Sequence, residues 1–264
     1  MQDLKITFIQ ADLVWKEVSA NLETFQKKIS DISEETDLII LPEMFNTGFV
    51  VKPHEIETVV WKSTLEWMKS IAAEKAAVLT GSMIVKEQGK YYNRLYWVHP
   101  DGSFSSYDKR HLFSLGGEHL QFTAGNDALV LKLKGWKIKP LICYDLRFPV
   151  WAKNNYQSGK YDYDVLIYMA NWPAARSHAW KSLLVARAIE NQAYTIGVNR
   201  IGCDGNGTPH QGFSGVIEPK GEWISEVAMN VESVQTIELS AVELLSYRKK
   251  FTVGLDWDQF HIDV

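Results

Sequence analysis

The sequence predicts an α/β fold in which helices cover mixed β-sheets. Short apolar runs, of the length of buried strands, alternate along the chain with segments whose apolar residues recur at helical spacing. Several neighbouring strand-like runs are separated only by short polar turns, which is typical of antiparallel hairpins. Since helical crossovers join parallel strands and tight turns join antiparallel ones, the two patterns together indicate mixed rather than purely parallel sheets.

Each element is predicted from its own apolar pattern. The runs with strand character are 4–10, 37–41, 77–85, 91–99, 103–107, 129–133, 137–143, 164–170, 194–199, 215–219 and 222–228. The segments with helical periodicity are 22–32, 59–71 and 176–191. Glycine-containing hairpin turns are predicted at 100–102, 134–136 and 220–221.

The chain is long enough for one large core, and we expect a single domain over residues 1–264. Its 264 residues are 46% hydrophobic, which suffices for one large core or two small ones. We find no internal repeat, no low-complexity tract and no linker rich in proline or serine. The glycine-rich stretch 202–207 is short and lies between two strand-like runs, so we expect a loop over the active-site face rather than a linker.

Charge and cysteine content favour a cytoplasmic protein that binds neither nucleic acid nor membrane. Charged residues make up 23% of the chain, the formal net charge is −4, and the lysines and arginines are scattered. This distribution gives no electrostatic footprint for nucleic acid or an anionic membrane. The N-terminus lacks a long apolar segment, and no apolar run approaches membrane-spanning length. Two cysteines in a chain of this size are typical of a reducing compartment.

Three reactive side chains stand just after predicted strands. Cys143 ends one apolar run, Glu43 follows another after Pro42, and Lys109 lies in the turn after a third. A thiol in such a place is a candidate nucleophile, a partly desolvated carboxylate a candidate base, and a fixed ammonium a candidate oxyanion stabiliser. Each of them, taken alone, is more often an ordinary core or surface residue.

Other chemistries lack their sequence motifs. The chain has no HExxH, no CxxC and no paired histidines at helical spacing, so no metal is predicted. It has no GxGxxG and no P-loop, so no nucleotide cofactor is predicted, and no GxSxG for a serine nucleophile. His111 is a candidate base for a catalytic Cys–His pair, but a histidine beside two basic residues is more often a polar loop residue.

The three reactive residues lie in longer strings that match a known family. The strings are Leu41-Pro42-Glu43, Tyr107-Asp108-Lys109-Arg110-His111-Leu112-Phe113 and Ile142-Cys143-Tyr144-Asp145-Leu146-Arg147-Phe148-Pro149. They resemble the nitrilase (carbon–nitrogen hydrolase) superfamily, whose signature is a Glu–Lys–Cys triad in that order. The resemblance covers almost the whole chain, and the strings His-Leu-Phe, Glu-His-Leu and Asn-Trp-Pro are most similar to the omega-amidase branch.

The resemblance implies a four-layer α-β-β-α sandwich and a role for each of five residues. Cys143 is then the nucleophile and Glu43 the general base and acid. The Lys109 ammonium and the backbone N–H of Tyr144 stabilise the oxyanion, and Glu118 is a second carboxylate that orients Lys109 or the substrate nitrogen. The implied reaction is hydrolysis of a small omega-amide of a 2-oxo dicarboxylic acid, such as 2-oxoglutaramate or 2-oxosuccinamate, through a cysteine thioester and without a cofactor.

The family also implies a homodimer that pairs through its outer helices. The C-terminal segment 247–264 carries Phe251, Trp257 and Phe260, which would pack either across that interface or within their own chain.

A 2-oxo acid substrate carries a carboxylate that needs a cationic or N–H-rich partner. Arg147 and Arg176 are the candidates, although Arg147 lies close after the nucleophile and has an alternative role in a salt bridge that holds the turn. Phe45, Trp172 and Phe113 are candidates for the pocket lining, or equally for the core.

Other functions remain open on the sequence alone. The protein would otherwise be another linear amidase or an N-carbamoyl amino acid hydrolase of the same superfamily, and less readily a nitrilase. A catalytically silent binding module on this fold is the non-enzymatic alternative. A redox pair of Cys143 and Cys203 is a further hypothesis.

Overall fold

The computed structural model describes residues 1–263, which form sixteen strands and five α-helices. The strands are β1 (Leu4–Gln10), β2 (Leu38–Ile40), β3 (Val78–Glu87), β4 (Lys90–Val98), β5 (Phe104–Asp108), β6 (Leu131–Leu133), β7 (Trp136–Ile142), β8 (Tyr156–Gln157), β9 (Lys160–Tyr161), β10 (Val165–Ala170), β11 (Tyr194–Asn199), β12 (Ile201–Cys203), β13 (Pro209–Gln211), β14 (Gly215–Ile217), β15 (Trp223–Glu226) and β16 (Ser233–Leu239). The helices are α1 (Val18–Ser30), α2 (Val60–Lys75), α3 (Pro149–Ala152), α4 (Ser177–Asn191) and α5 (Ala241–Lys250).

Most of the described strands belong to two mixed sheets. The first has the strand order β16-β1-β2-β3-β4-β5 and the second the order β15-β14-β11-β10-β7-β6. The strands β1, β2 and β3 run parallel, as do β7, β10 and β11, while the outer strands pair antiparallel. The remaining strands form the short hairpins β8–β9 and β12–β13. The mixed sheets predicted from the sequence are thus confirmed.

The two sheets pack against each other, and helices cover their outer faces. On β1, Leu4, Ile6 and Phe8 belong to the core that the first sheet shares with the second. Ile9 on the opposite face of the strand packs in a separate core with Phe25 and other residues of α1 and α2. The buried side of α4 packs against the second sheet from its outer face. This is the four-layer α-β-β-α sandwich that the family resemblance implied.

The predicted elements are present, and the sequence missed five other features. Each predicted strand and helix is found with its ends shifted by a few residues. The edge strand β16, the helices α3 and α5, and the hairpins β8–β9 and β12–β13 were not predicted. Strand β16 lies at the edge of its sheet and is mostly half-exposed and polar, so it lacks the apolar signal of a buried strand.

The sandwich brings the ends of several strands to one place. Glu43 follows β2, Cys143 follows β7 and Asn171 follows β10, all at the carboxyl ends of parallel strands, while Lys109 follows β5. In open α/β sheets, ligands bind outside these carboxyl ends. The fold therefore places the predicted reactive residues where such sheets usually carry a site.

Candidate active site

The three predicted reactive residues line one cavity. Glu43, Lys109 and Cys143 all contribute to the wall of a cavity of about 300 Å³. Pockets that take a small molecule span about 300–1,000 Å³, so this one suits a small substrate.

Cys143 occupies a strained turn that directs its thiol into the cavity. The residue begins the 3-10 turn Cys143–Arg147 and has a φ of 44°, which lies in the left-handed region. A non-glycine residue there is unfavourable by about 1–2 kcal/mol, so the surrounding structure must hold it. The residue is partly buried and lines the cavity together with Tyr144.

The buried carboxylate of Asp145 supplies much of that hold. Its Oδ2 accepts the backbone N–H of Ile142 at 3.0 Å and the Tyr107 hydroxyl at 2.8 Å. Its Oδ1 contacts the backbone N–H and the Nδ1 of His111 at 3.0 and 2.8 Å. Asp145 thereby ties the cysteine turn of the second sheet to the lysine segment of the first. His111 is absent from the described lining of the cavity that holds Cys143, and its ring stacks on that of Phe148 with centroids 3.7 Å apart, so the structure does not support a Cys143–His111 pair.

Lys109 is buried between two carboxylates. Its Nζ lies 2.9 Å from Glu43 Oε1 and 2.9 Å from Glu118 Oε2, and the side chain is 1% exposed. Burial opposes the charge, but the attraction of Glu118 and Glu43 outweighs it and raises the pKa of Lys109 above its usual range. The site thus holds a permanent positive charge at a fixed point.

Glu118 acts on Lys109 from behind the cavity. Its Oε2 accepts the backbone N–H of Phe113 at 2.6 Å as well as the ammonium of Lys109. Burial raises the pKa of Glu118, and Lys109 opposes that shift. Glu118 is absent from the described cavity lining, and Lys109 lies between it and the cavity residue Glu43.

The Glu43 carboxylate is fully buried and held by three donors. Its Oε1 accepts from Asn93 Nδ2 at 2.8 Å and from Lys109, and its Oε2 accepts the backbone N–H of Asn171 at 2.9 Å. Sequence reasoning missed Asn93, Asn171 and Asp145 as parts of this site. The position of Asn171 directly after a buried strand was the available signal, whereas Asn93 lies inside β4 and carried none.

The surroundings of the Cys143 thiol favour its protonated form. Burial, followed by the negative charge of Glu43, raises its pKa well above the usual range, and Lys109 only partly opposes this. A thiol in that state attacks a carbonyl only if a base removes its proton during the reaction. The sequence left open whether Lys109 or the carboxylates have the larger effect on the pKa of Cys143. Burial and the carboxylates together raise this pKa by more than Lys109 lowers it.

Two arginines in the cavity wall each have their guanidinium group next to an aromatic ring. The guanidinium of Arg147 lies 5.0 Å from the Trp172 ring centroid, and that of Arg176 lies 5.2 Å from that of Phe113. All four residues line the cavity. Neither guanidinium has a carboxylate or hydrogen-bonding partner within residues 1–263, so the proposed salt bridge of Arg147 is wrong.

Phe45 is in the core and not in the cavity. Its side chain is 0% exposed and packs against Phe25 and Trp67, with ring centroids 5.7 and 5.9 Å apart. A Cβ on Gly81 would lie 2.8 Å from the Phe45 ring, so the glycine of the neighbouring strand leaves room for the ring on the helix-covered face. The expectation that Phe45 lines the pocket is therefore wrong.

The hairpin β12–β13 forms the remaining wall of the cavity. Asp204, Asn206, Thr208 and His210 line it, so the glycine-rich stretch lies over this face as predicted. Burial and the nearby charge of Arg200 lower the pKa of His210 to about 4, so its imidazole is neutral at pH 7.

Residues 1–263 contain neither a metal-binding cluster nor a helix suited to a membrane. No group of three or more histidine, cysteine, aspartate or glutamate side chains is placed to hold a metal ion. No helix in that range is both long and apolar enough to cross a membrane. Both cysteines are free.

Comparison with known proteins agrees with this geometry. The chain matches the family model for carbon–nitrogen hydrolases over residues 5–249. It is 43% identical to the omega-amidase YafV of Escherichia coli strain K12, over 99% of this chain and 100% of that protein. It is 32% identical to the 2-oxoglutaramate amidase of Bacillus subtilis strain 168, over 94% of this chain and 95% of that protein.

A solved structure gives the same result for the fold. XC1258 from Xanthomonas campestris, a CN-hydrolase superfamily protein with an arsenic adduct in its active site, is 39% identical and superposes with a TM-score of 0.96 over 100% of both chains. The family match spans most of the chain, and the curated relatives are amidases aligned over nearly their full length. The chain therefore belongs to the carbon–nitrogen hydrolase (nitrilase) superfamily and is a hydrolase of carbon–nitrogen bonds.

Proposed function

We propose that this protein hydrolyses a small omega-amide of a 2-oxo dicarboxylic acid, 2-oxoglutaramate or 2-oxosuccinamate, to the acid and ammonia. The observation that carries the proposal is the pair of unpartnered guanidinium groups, Arg147 and Arg176, in the cavity that also holds Cys143. An anionic group on the substrate would pair with these two guanidinium groups. The names of the Escherichia coli and Bacillus subtilis relatives support the same substrate class.

The first half of the proposed reaction forms a thioester. Glu43 removes the proton of the Cys143 thiol as the sulfur attacks the amide carbonyl, since burial and the charge of Glu43 raise the pKa of that thiol. The Lys109 ammonium and the backbone N–H of Tyr144 receive the oxyanion, and each such donor lowers the barrier by about 3–4 kcal/mol. Protonated Glu43 then gives its proton to the nitrogen as the C–N bond breaks, so ammonia leaves as a neutral molecule.

The second half returns the enzyme to its starting state. Glu43 removes a proton from water as the water oxygen attacks the thioester carbonyl, and the oxyanion returns to the same donors. The C–S bond breaks, and the proton held by Glu43 restores the Cys143 thiol. Glu118 takes no proton in this scheme, and it keeps Lys109 in place through contacts of 2.9 and 3.1 Å.

The two arginines suit the carboxylate of the substrate. Stacking on Trp172 and Phe113 holds each guanidinium without using its N–H donors. Those donors are then free for bidentate, charge-assisted hydrogen bonds to a carboxylate, which are stronger than bonds between neutral groups. A neutral amide substrate would leave both cations unpartnered in the cavity wall.

Ammonia release across a panel of substrates tests the proposal directly. The panel contains 2-oxoglutaramate, 2-oxosuccinamate, N-carbamoyl amino acids, simple aliphatic amides and simple nitriles. We expect the highest kcat/KM for one of the two 2-oxo acid amides. A higher value for an N-carbamoyl amino acid or a nitrile would contradict the proposed substrate and favour another activity of the same superfamily.

Removal of either guanidinium should weaken binding of the charged substrate selectively. In Arg147→Gln and Arg176→Gln we expect KM for the 2-oxo acid amide to rise by about tenfold or more, since a hydrogen bond to a charged group contributes about 1.5–3 kcal/mol. Hydrolysis of propionamide, which has no carboxylate, should change less than threefold. Lys62→Gln on the exposed surface of α2 is the matched loss of a positive charge. Equal losses on both substrates would argue for a structural role of the arginines.

We also propose that the protein forms a homodimer that involves the C-terminal segment 247–264, of which all but residue 264 is described. Phe251, Leu255 and Phe260 are 55%, 67% and 51% exposed in the single chain. Burial of such side chains against a second copy would stabilise the pair. Light scattering should give twice the chain mass, and a monomer at micromolar concentration would contradict the proposal.

A further inference from the structure

Asn171 is attached to Glu43 at two points. It follows β10 directly, and its backbone N–H donates to Glu43 Oε2 at 2.9 Å. Its side-chain Nδ2 donates to the backbone carbonyl of Glu43. The residue is 5% exposed and lines the cavity beside Cys143. Asn171 is therefore fixed relative to the carboxylate that handles protons in the proposed reaction.

The side-chain carbonyl of Asn171 has no partner. Its Oδ1 is buried and forms no hydrogen bond with any residue in the range 1–263. The orientation of the amide is determined by its neighbour, because a flipped side chain would place Oδ1 against the carbonyl oxygen of Glu43. The protein thus leaves a fixed hydrogen-bond acceptor unused on a residue that lines the cavity, which is unfavourable in a buried position.

An unused acceptor is complementary to the reacting group of a primary amide. The NH₂ of an amide carries two donors, whereas an ester or a nitrile carries none at the corresponding position. Glu43 Oε1 is already occupied by Asn93 and Lys109. We infer that Asn171 Oδ1 accepts a hydrogen bond from the NH₂ group of the substrate and thereby selects primary amides. This inference rests on the amide hydrolysis proposed above, but not on the identity of the acid.

The arrangement also orients the leaving nitrogen. When the carbonyl carbon becomes tetrahedral, the nitrogen lone pair is no longer delocalised into the carbonyl, and it must face the proton on Glu43 for ammonia to leave. An N–H held by Asn171 Oδ1 fixes the rotation of the C–N bond. Because Asn171 and Glu43 are bonded to each other, acceptor and acid keep the same relative position throughout the reaction.

The test compares an amide with the methyl ester of the same acid. We use the amide that the wild type hydrolyses best in the panel and measure kcat/KM for both compounds in wild type, Asn171→Ala and Asn93→Ala. Both variants lose a side-chain bond to Glu43, but Asn93 is absent from the described cavity lining. We expect the amide-to-ester ratio to fall about tenfold or more in Asn171→Ala and to change less than threefold in Asn93→Ala.

Two additional measurements keep the inference falsifiable. Asn171→Asp retains an acceptor for the substrate N–H, so its amide-to-ester ratio should stay closer to that of the wild type than the ratio of Asn171→Ala does. If ester turnover is too slow to measure, calorimetric binding to Cys143→Ala and to Cys143→Ala/Asn171→Ala replaces it. The second replacement should weaken binding of the amide about tenfold and leave that of the ester unchanged.

The outcomes separate this inference from the proposed substrate. Parallel losses for amide and ester in Asn171→Ala, or equal loss of amide binding and ester binding, would overturn the role of Asn171. Preference of the wild type for an amide without a 2-oxo acid would overturn only the substrate, since the comparison is then made on that amide and its ester.

Discussion

Replacement of Cys143 by alanine is expected to lower ammonia release by more than about 10⁴-fold, because removal of a catalytic nucleophile has effects of that order or larger. Without the thiol no thioester forms, and the remaining donors, Lys109 and the Tyr144 N–H, only assist direct attack by water. The readout is ammonia release from the best amide of the panel, combined with mass spectrometry of the protein during turnover. Only the wild type should show the mass of an acyl adduct.

The fold of the Cys143→Ala variant should survive. Alanine tolerates the left-handed φ of 44° about as well as cysteine does, and the hydrogen bonds of Asp145 to the turn remain. Circular dichroism and thermal unfolding should match the wild type. Cys203→Ala, on the exposed hairpin β12–β13, is the matched control and should keep activity within twofold. Activity of Cys143→Ala within tenfold of wild type would contradict the nucleophilic role.

Replacement of Glu43 by glutamine is expected to abolish turnover while leaving the cysteine chemically available. General acid–base catalysis contributes about 10²–10⁴-fold to a step, and Glu43 is proposed to act in both halves of the reaction, so we expect a loss of at least about 10³-fold. Glutamine keeps the size of the side chain, and Lys109 keeps its contacts with Glu118. Ammonia release measures the loss.

Alkylation shows whether the thiol of the Glu43→Gln variant is intact. The charge of Glu43 is one cause of the raised pKa of Cys143, so its removal lowers that pKa and favours the thiolate. Excess iodoacetamide should therefore label Cys143 completely, as judged by peptide mass spectrometry. Glu57→Gln, an exposed carboxylate, should leave both activity and labelling unchanged. Full activity in Glu43→Gln, or a thiol that resists labelling, would contradict the proposed role.

The sequence predicted those features that depend on local pattern. Glu43 and Cys143 were found because each follows a run of apolar residues that can only be a buried strand, and the order of the three matching strings pointed to the family. Strand β16 was missed because an edge strand has no continuous apolar run. These successes and failures have the same physical cause. A buried strand requires a run of apolar residues that can be recognised in the sequence, whereas a half-exposed strand does not.

The contacts between distant segments could not be predicted in the same way. Asn93 reaches Glu43 over fifty positions of the chain, and Asp145 reaches Tyr107 over 38. Phe45 follows Glu43 closely, yet its ring packs into the core, because the direction of a side chain after a strand depends on the neighbouring strand. Arg147 has no carboxylate within the described chain, which only the packed structure can show.

The link through Asp145 has a consequence for how the enzyme opens. The amides of Ile142 and His111 belong to segments associated with different sheets, yet both donate to the same buried carboxylate. Movement of either segment alone would break hydrogen bonds to a buried carboxylate, which is unfavourable. In native-state hydrogen exchange these two amides should consequently exchange only with the most protected amides of the sandwich core. The geometry around Cys143 would then persist until the two sheets separate, and no partly open, reactive thiol would be populated along the way.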